Sequence, residues 1–322
     1  MNKTLSFVLV LVSLQAQSKP IPNHPNGKPI VKVFTNFHTG FGRVNDDRGF
    51  SLERSYIGYK YSLTQHLSFT GILDVGKSNQ VDDVQRIAYL KNMMVQWNKN
   101  RVTVKAGLIP TIQFGMQEKF WGHRFVRKSF QDEYKFGKSA DLGISLLYEF
   151  NKWLTADALI VNGEGYRKIQ LNDGLLYGAG FSIKPLRGVF CRIYCGINQD
   201  GDQEKEDTYN LSTFIGYTYG TFSIGSEYNF MRTKRLHDKG DEKGWSVYST
   251  VGLNDCLSVF GRYDQLLTSK AEHGSRDEKN AVLGMNLNLG KYVRLAPTFT
   301  YKKREINEKA EFYAGIYCCF EL

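Results

Sequence analysis

Along most of this chain polar and apolar residues alternate one by one, the period of a β-strand whose two faces meet different surroundings. The alternation falls into sixteen segments, at 31–42, 51–63, 66–76, 88–97, 101–111, 140–150, 153–163, 175–186, 189–197, 208–219, 221–230, 245–253, 257–265, 280–289, 293–302 and 311–322. One face of each is mainly apolar. Val102, Val104, Ala106 and Leu108 oppose Arg101, Thr103, Lys105 and Gly107, and Leu142, Ile144, Leu146 and Tyr148 oppose Asp141, Gly143, Ser145 and Leu147. Val293, Leu295, Pro297, Phe299 and Tyr301 likewise oppose Arg294, Ala296, Thr298, Thr300 and Lys302. The segment 88–97 alternates poorly, which leaves Lys91 without an assigned side.

Two kinds of connection take turns along the chain. Thr64-Gln65, Asn98-Lys99-Asn100, Asn151-Lys152, Arg187-Gly188, Gly220, Asn254-Asp255-Cys256 and Gly290-Lys291 are short, whereas 77–87, 200–207, 231–244 and 266–279 are long and charged. This predicts an up-and-down antiparallel sheet with its short turns at one end. Two-faced strands suit either a soluble sandwich or a membrane barrel, and three features favour the barrel. A sandwich of so many strands would leave open edges that closure abolishes. Aromatics gather near strand ends, Tyr59, Tyr61, Trp97, Phe150, Trp153, Tyr217, Trp245 and Tyr301 among them, as interfacial girdles do. The final segment sets Phe312, Ala314, Ile316, Cys318, Phe320 and Leu322 on one face. The predicted fold is an all-β, transmembrane, antiparallel up-and-down β-barrel of sixteen strands over residues 31–322, set in the lipid of a bacterial outer membrane.

Composition narrows the class further. Aromatics reach 14% and hydrophobics only 42%, and the mean hydropathy is -0.38; a bundle of membrane helices and a disordered chain are both excluded. Residues 1–18 read as a secretory signal peptide, with Lys3, an apolar run from Leu5 to Leu14 and Ala16-Gln17-Ser18. Residues 19–30 then form a periplasmic N-terminal segment. The five cysteines, Cys191, Cys195, Cys256, Cys318 and Cys319, are an odd set. Cys191 and Cys195 would stand about 13 Å apart on a strand, too far for a bridge, so the cysteines read as small apolar side chains. The six histidines are scattered, and no metal site or cofactor is predicted. No G-x-S-x-G or H-E-x-x-H is present, so no enzyme is predicted, and no basic module points to nucleic acid.

Charge and one long connection carry the functional reading. Lys+Arg number 42 against Asp+Glu 32, a net +10. The 111–139 segment is the longest connection and holds Lys119, Arg124, Arg127, Lys128, Lys135 and Lys138 against Glu118, Asp132 and Glu133, a surplus of three positive charges. A loop of that length usually has a function. It contains Phe120-Trp121-Gly122-His123-Arg124-Phe125 and Lys128-Ser129-Phe130-Gln131-Asp132, and leads into Ser139-Ala140-Asp141-Leu142-Gly143. With Asn162-Gly163-Glu164-Gly165-Tyr166 and Gly261-Arg262-Tyr263-Asp264, the chain resembles the phosphate-selective porin O and P family, in the shorter form of Bacteroidetes-type outer membranes. The resemblance covers nearly everything beyond residue 18 and rests on the order and spacing of loose motifs; the terminal Leu322 departs from the usual aromatic. It implies a homotrimeric channel of sixteen-stranded barrels whose third loop, here 111–139, folds into the lumen as a constriction.

Alternation assigns Lys32, Arg54, Lys60, Arg101, Lys105, Lys184, Arg192, Arg262, Arg294 and Lys302 to the inner face, opposed by Asp74, Asp141, Glu149, Asp157, Glu227 and Asp264. With Lys119, Arg124, Arg127 and Lys128 from the long segment, these cations are the predicted anion-attracting lining, though some, such as Arg262 beside Asp264, can pair and merely brace the wall. The predicted function is passive diffusion of small hydrophilic solutes with a lean toward anions, phosphate among them. The alternatives are a plugged or structural barrel, such as an adhesin, and more remotely an enzyme on the barrel rim.

Overall fold

The computed structural model describes residues 26–41, 45, 47–77, 85–170, 173–199, 207–233, 241–269, 276–306 and 309–322. The expected signal peptide at 1–18 lies outside them, as does the periplasmic segment as far as Pro25. The first half of the chain gives β1 (Gly27–Phe41), β2 (Arg48–Ser62), β3 (Leu67–Lys77), β4 (Arg86–Lys99), β5 (Val102–Pro110), α1 (Gly115–Trp121), α2 (Phe130–Glu133), β6 (Ala140–Glu149), β7 (Leu154–Val161) and β8 (Leu176–Ile183). The second half gives β9 (Val189–Asn198), β10 (Thr208–Tyr219), β11 (Phe222–Thr233), β12 (Glu242–Gly252), β13 (Leu257–Thr268), β14 (Glu278–Leu289), β15 (Val293–Arg304) and β16 (Glu311–Glu321). Because β1 already begins at Gly27, residues 27–30 belong to the wall and not to the expected N-terminal segment; Lys28 and Ile30 pair with Lys60 and Gly58.

Each strand pairs antiparallel with its neighbours in chain order, and β1 pairs with β16, so the sixteen strands close into one barrel among the described residues. Closure leaves no edge whose N–H and C=O groups would face hydrocarbon unpaired. The outer face shows why these sequences take this register. Val102, Val104, Ala106 and Leu108 stand opposite Tyr148, Leu146, Ile144 and Leu142, and Ile144 and Leu146 continue to Ile160 and Ala158. These apolar rungs are exposed side by side, with Leu142, Ile144 and Leu146 each about half open. A one-residue slip would turn Asp141 and Lys105 to that face, so the apolar pattern fixes the register. Tyr59, Phe150, Tyr217, Tyr228 and Phe299 are exposed on it as well.

The inner face departs from the expected polar lining. Phe214 on β10, Tyr248 on β12, Phe260 on β13, Val282 on β14, Ala296 on β15 and Phe34 on β1 are buried around Trp121 and Phe125 of the 111–139 segment. A second cluster joins Phe130, Tyr134 and Phe136 of that segment to Leu266 on β13. Each large side chain removed from water here contributes roughly 1.5–3 kcal/mol, enough to hold a long connection against one arc of the wall. The alternation hid this arc because its inner positions mix Phe214 and Phe260 with Ser212, Arg262 and Asp264.

Ile144→Arg places a charge on the exposed apolar face and is expected to cost about 2–4 kcal/mol, read as a lower urea midpoint for the chain folded into lipid vesicles.

Candidate functional site

The 111–139 segment is built as a folded unit. Its root is closed by Thr111 N donating to Ser139 O at 3.2 Å. Helix α1 stops at Gly122, whose φ of 71° lies in the left-handed region, and the Gly122 N–H returns to Glu118 O. Trp121 Nε1 then donates to Arg127 O at 2.9 Å, folding 121–127 back on itself. His123 is buried against the Phe260 ring at 4.0 Å, with its Nδ1 on Trp121 O at 2.8 Å.

From this unit, contacts run to one arc of the wall. Arg192 on β9 grips Asp157 on β7 through two bonds of 2.7 and 2.8 Å and donates to Ile112 O at 2.9 Å. Asn210 and Ser212 on β10 bond Phe136 O at 2.6 Å and Gln131 Nε2 at 2.8 Å. Arg262 on β13 bonds Asp264 at 2.8 Å and Lys128 O at 2.7 Å, while Arg127 reaches the same Asp264 at 3.1 Å. Tyr134 Oη donates to Glu278 on β14 at 3.1 Å, and Arg294 on β15 donates to Gly122 O at 3.2 Å. The Phe120 ring lies so close to β10 that a Cβ on Gly216 would stand 2.6 Å from it. All these wall positions lie on the side opposite the exposed apolar rungs.

The predicted cations therefore divide. Lys32 pairs with Glu321, and Arg294 with the same carboxylate at 3.4 Å. Arg124 lies between Glu118 and Asp132, the latter at 2.7 Å; burial opposes its charge, yet these two carboxylates hold its pKa above the ordinary value. Arg127, Arg192 and Arg262 are fasteners in buried ion pairs, and Lys302 stands 3.6 Å from Glu278. Arg101 does not line a strand: it sits in the turn before β5 and donates to Phe150 O at 2.8 Å, because β5 begins one residue later than its alternation suggests. Lys184 lies just past β8, over the Phe190 ring. Among the described residues, Arg54, Lys60, Lys105, Lys119 and Lys128 have no acid within ion-pair distance. Of the predicted acids, Asp74 receives Tyr166 Oη at 2.5 Å, Asp141 caps the Gly163 and Gly165 N–H groups, Glu149 is exposed at the end of β6, and Glu227 is buried.

Two β-bulges add residues that alternation could not assign. On β2 the register shifts where Phe34 and Thr35 face Arg54 and Leu52, and the extra residue, Glu53, turns inward to accept a bond from Asn36 at 3.1 Å. On β4 the shift opposite Ile72 and Leu73 skips Lys91. Lys91 and Asn92 are consequently both buried. Lys91 Nζ donates to Ser139 Oγ at 2.9 Å and lies 4.4 Å from the Tyr166 ring centre. The broken alternation at 88–97 was the sequence signal for this bulge. Facing the Arg124–Lys128 turn, Phe34, Glu53, Arg54 and Tyr317 enclose with it a cavity of about 290 Å³.

Asp264→Ala takes the carboxylate from buried Arg262 and one of three from Arg127, which keeps Glu133 and Glu278, and is expected to destabilise the protein by about 3–5 kcal/mol, read from the urea midpoint. Burial also pushes the His123 imidazole down to about 4. A free histidine titrates near 6.5, so the folded state binds fewer protons between these values; the contribution is whole above pH 6.5 and is lost as pH falls toward 4. The expected loss is up to about 3 kcal/mol and is absent from His123→Gln, measured as the pH dependence of the unfolding midpoint.

No protein-family model matches the sequence, and no curated protein matches it. Solved structures do. OprB of Pseudomonas putida superposes with a TM-score of 0.70 at 10% identity, covering 92% of this chain and 94% of that one. An anion-selective porin from Comamonas acidovorans gives 0.68 at 12%, over 93% and 100%. OmpF of Salmonella typhi gives 0.68 at 11%, over 92% and 98%. At these identities the likeness is one of fold: a closed antiparallel barrel of sixteen strands, shared with outer-membrane porins.

Proposed function

We propose that this protein is an outer-membrane porin, a non-enzymatic channel through which small hydrophilic solutes diffuse, with 111–139 as the constriction loop within the lumen and a preference for anions. The observation that carries the reading is an asymmetry of charge. The fastening arginines on β9, β13 and β15 are consumed by carboxylates and carbonyls, whereas Lys60 on β2, Lys105 on β5 and Lys119 on α1 are not. The charges acting on Lys105 are those of Lys119 and Lys60, with no acid among them. A solute passing between the segment and the β2–β5 arc would meet these lysines together with Arg54 and Lys128. Cations gathered at a narrow, partly dehydrated passage attract anions and repel cations.

Phosphate is one anion such a passage would accept, and the motif order of 111–166 supports placing the chain near the phosphate-selective porin O and P family. Assembly as a homotrimer is part of the same proposal. The apolar clusters around Trp121 and Phe130 favour one second reading, a barrel plugged by its own segment.

In a planar bilayer the protein is expected to pass current, with a reversal potential of anion-selective sign under a KCl gradient. Replacing Lys60, Lys105 and Lys119 together by Gln is expected to lower the anion-to-cation permeability ratio by at least about twofold while the barrel still folds. Zero current supports the plugged reading, and a cation-selective sign removes the anion preference.

A further inference from the structure

The outer face of the wall carries charge of its own at the long-connection end of β12–β15. Tyr228, Trp245, Gln265, Lys279 and Lys303 form one cross-strand row, on the side that the exposed Tyr228 marks as outward. The residues next to the lysines fix their direction. Tyr134 Oη of the 111–139 segment donates to Glu278 at 3.1 Å and Lys302 stands 3.6 Å from the same carboxylate, so Lys279 and Lys303 point away from the lumen. On β12, Gly244 lies against the Phe130 ring of that segment, which turns Lys243 outward as well. All three lysines are exposed, and among the described residues none has an acid within ion-pair distance.

Lys279 and Lys303 are directly opposite each other. Like charges in that position repel and cost stability, a cost that an anion between them would remove. Lys243 lies beyond β13, two strand spacings across and two residues along from Lys279, roughly 12 Å away. The closest acids on this face, Asp277 and Glu305, stand two residues farther toward the connections, where the Glu305 N–H donates to Asp277 O at 2.9 Å and Asp277 Oδ1 accepts from Thr268 N at 2.6 Å. In the other direction the surroundings become apolar. Trp245 packs on Tyr263 at 5.1 Å, the next row runs from Tyr263 through Ala281 to Tyr301, and Phe299 beyond it is 44% exposed. Cations thus sit at the water side of an aromatic band, the arrangement of a membrane interface.

We propose that this patch binds the phosphates of a glycolipid in the leaflet that meets the long connections. In outer-membrane barrels those connections are extracellular, so the lipid belongs to the outer leaflet. Lys279 and Lys303 together hold one phosphate and Lys243 a second, while Trp245, Tyr301 and Phe299 pack on the acyl chains below. A disaccharide headgroup phosphorylated at both ends spans the gap between the two cationic points; a lipid with a single phosphate reaches only one of them. The aromatic flank favours a lipid over a dissolved phosphate ion, which would leave those rings uncovered.

The test folds the full chain into phosphatidylcholine vesicles containing a minor fraction of bisphosphorylated lipid A, extracts it in a non-ionic detergent and counts the lipid A retained per chain. Replacing Lys243, Lys279 and Lys303 together by Gln is expected to lower retention at least about tenfold, with heat-modifiable gel migration showing that the barrel has formed. The wild-type chain, which needs no substitution, is expected to retain lipid A stripped of both phosphates at least about tenfold less than the intact lipid. Equal retention of the two lipids, or retention that survives the triple substitution, would overturn the proposal. Displacement of the lipid by millimolar glycerol phosphate at constant ionic strength would also overturn it, by showing a site for a soluble phosphate. Anion selectivity in the bilayer is read independently, so failure here leaves the channel reading untouched.

Discussion

The pairing of β1 with β16 is the constraint on which everything else depends. In hydrocarbon an unpaired backbone N–H or C=O has no water to turn to, so a sheet can enter the membrane only when its last strand meets its first. Lys32 to Phe41 bond Glu321 to Phe312 rung by rung, and that seam converts a two-faced sheet into an inside and an outside. The apolar ladder on one face and the ion pairs on the other acquire their separate meanings only then.

Given an inside, the wall is not uniform around its circumference. From β9 to β15 it is a surface for attachment: aromatic rings, glycine clearances and arginines whose charges are cancelled locally. From β2 to β5 it keeps lysines without acidic partners. Two bulges concentrate charge on that second arc, since each lets two successive residues point the same way, Glu53 with Arg54 and Lys91 with Asn92. Most of the attachment thus lies on one arc and the lysines without acidic partners on the other, and Lys91 on β4 ties the second arc to the root of the segment through Ser139.

The strand pattern was legible because lipid imposes a strict rule on outward positions: Val102 to Leu108 and Leu142 to Tyr148 announce their face by simple alternation. The site was only half legible. Arg262 and Asp264 could be suspected as partners because two residues apart on a strand share a face, but Arg192 and Asp157 belong to strands that meet through β8, and no spacing reveals them. Nor could Trp121 and Phe125 be recognised as an attachment core, since their partners Phe34, Phe214 and Phe260 come from strands distant in sequence. Arg101 was misplaced for a smaller reason, a strand boundary one residue off, which at a turn decides between wall and rim.

The bond from Arg294 to Gly122 spans 172 residues, and the other bonds from 111–139 to β9–β14 span 74 to 151. Long-range contacts of this kind form late, after the loops between them have closed. The segment therefore gains its moorings only once the later strands of the wall are in place. The finishing strands in this way fix a segment synthesised well before them.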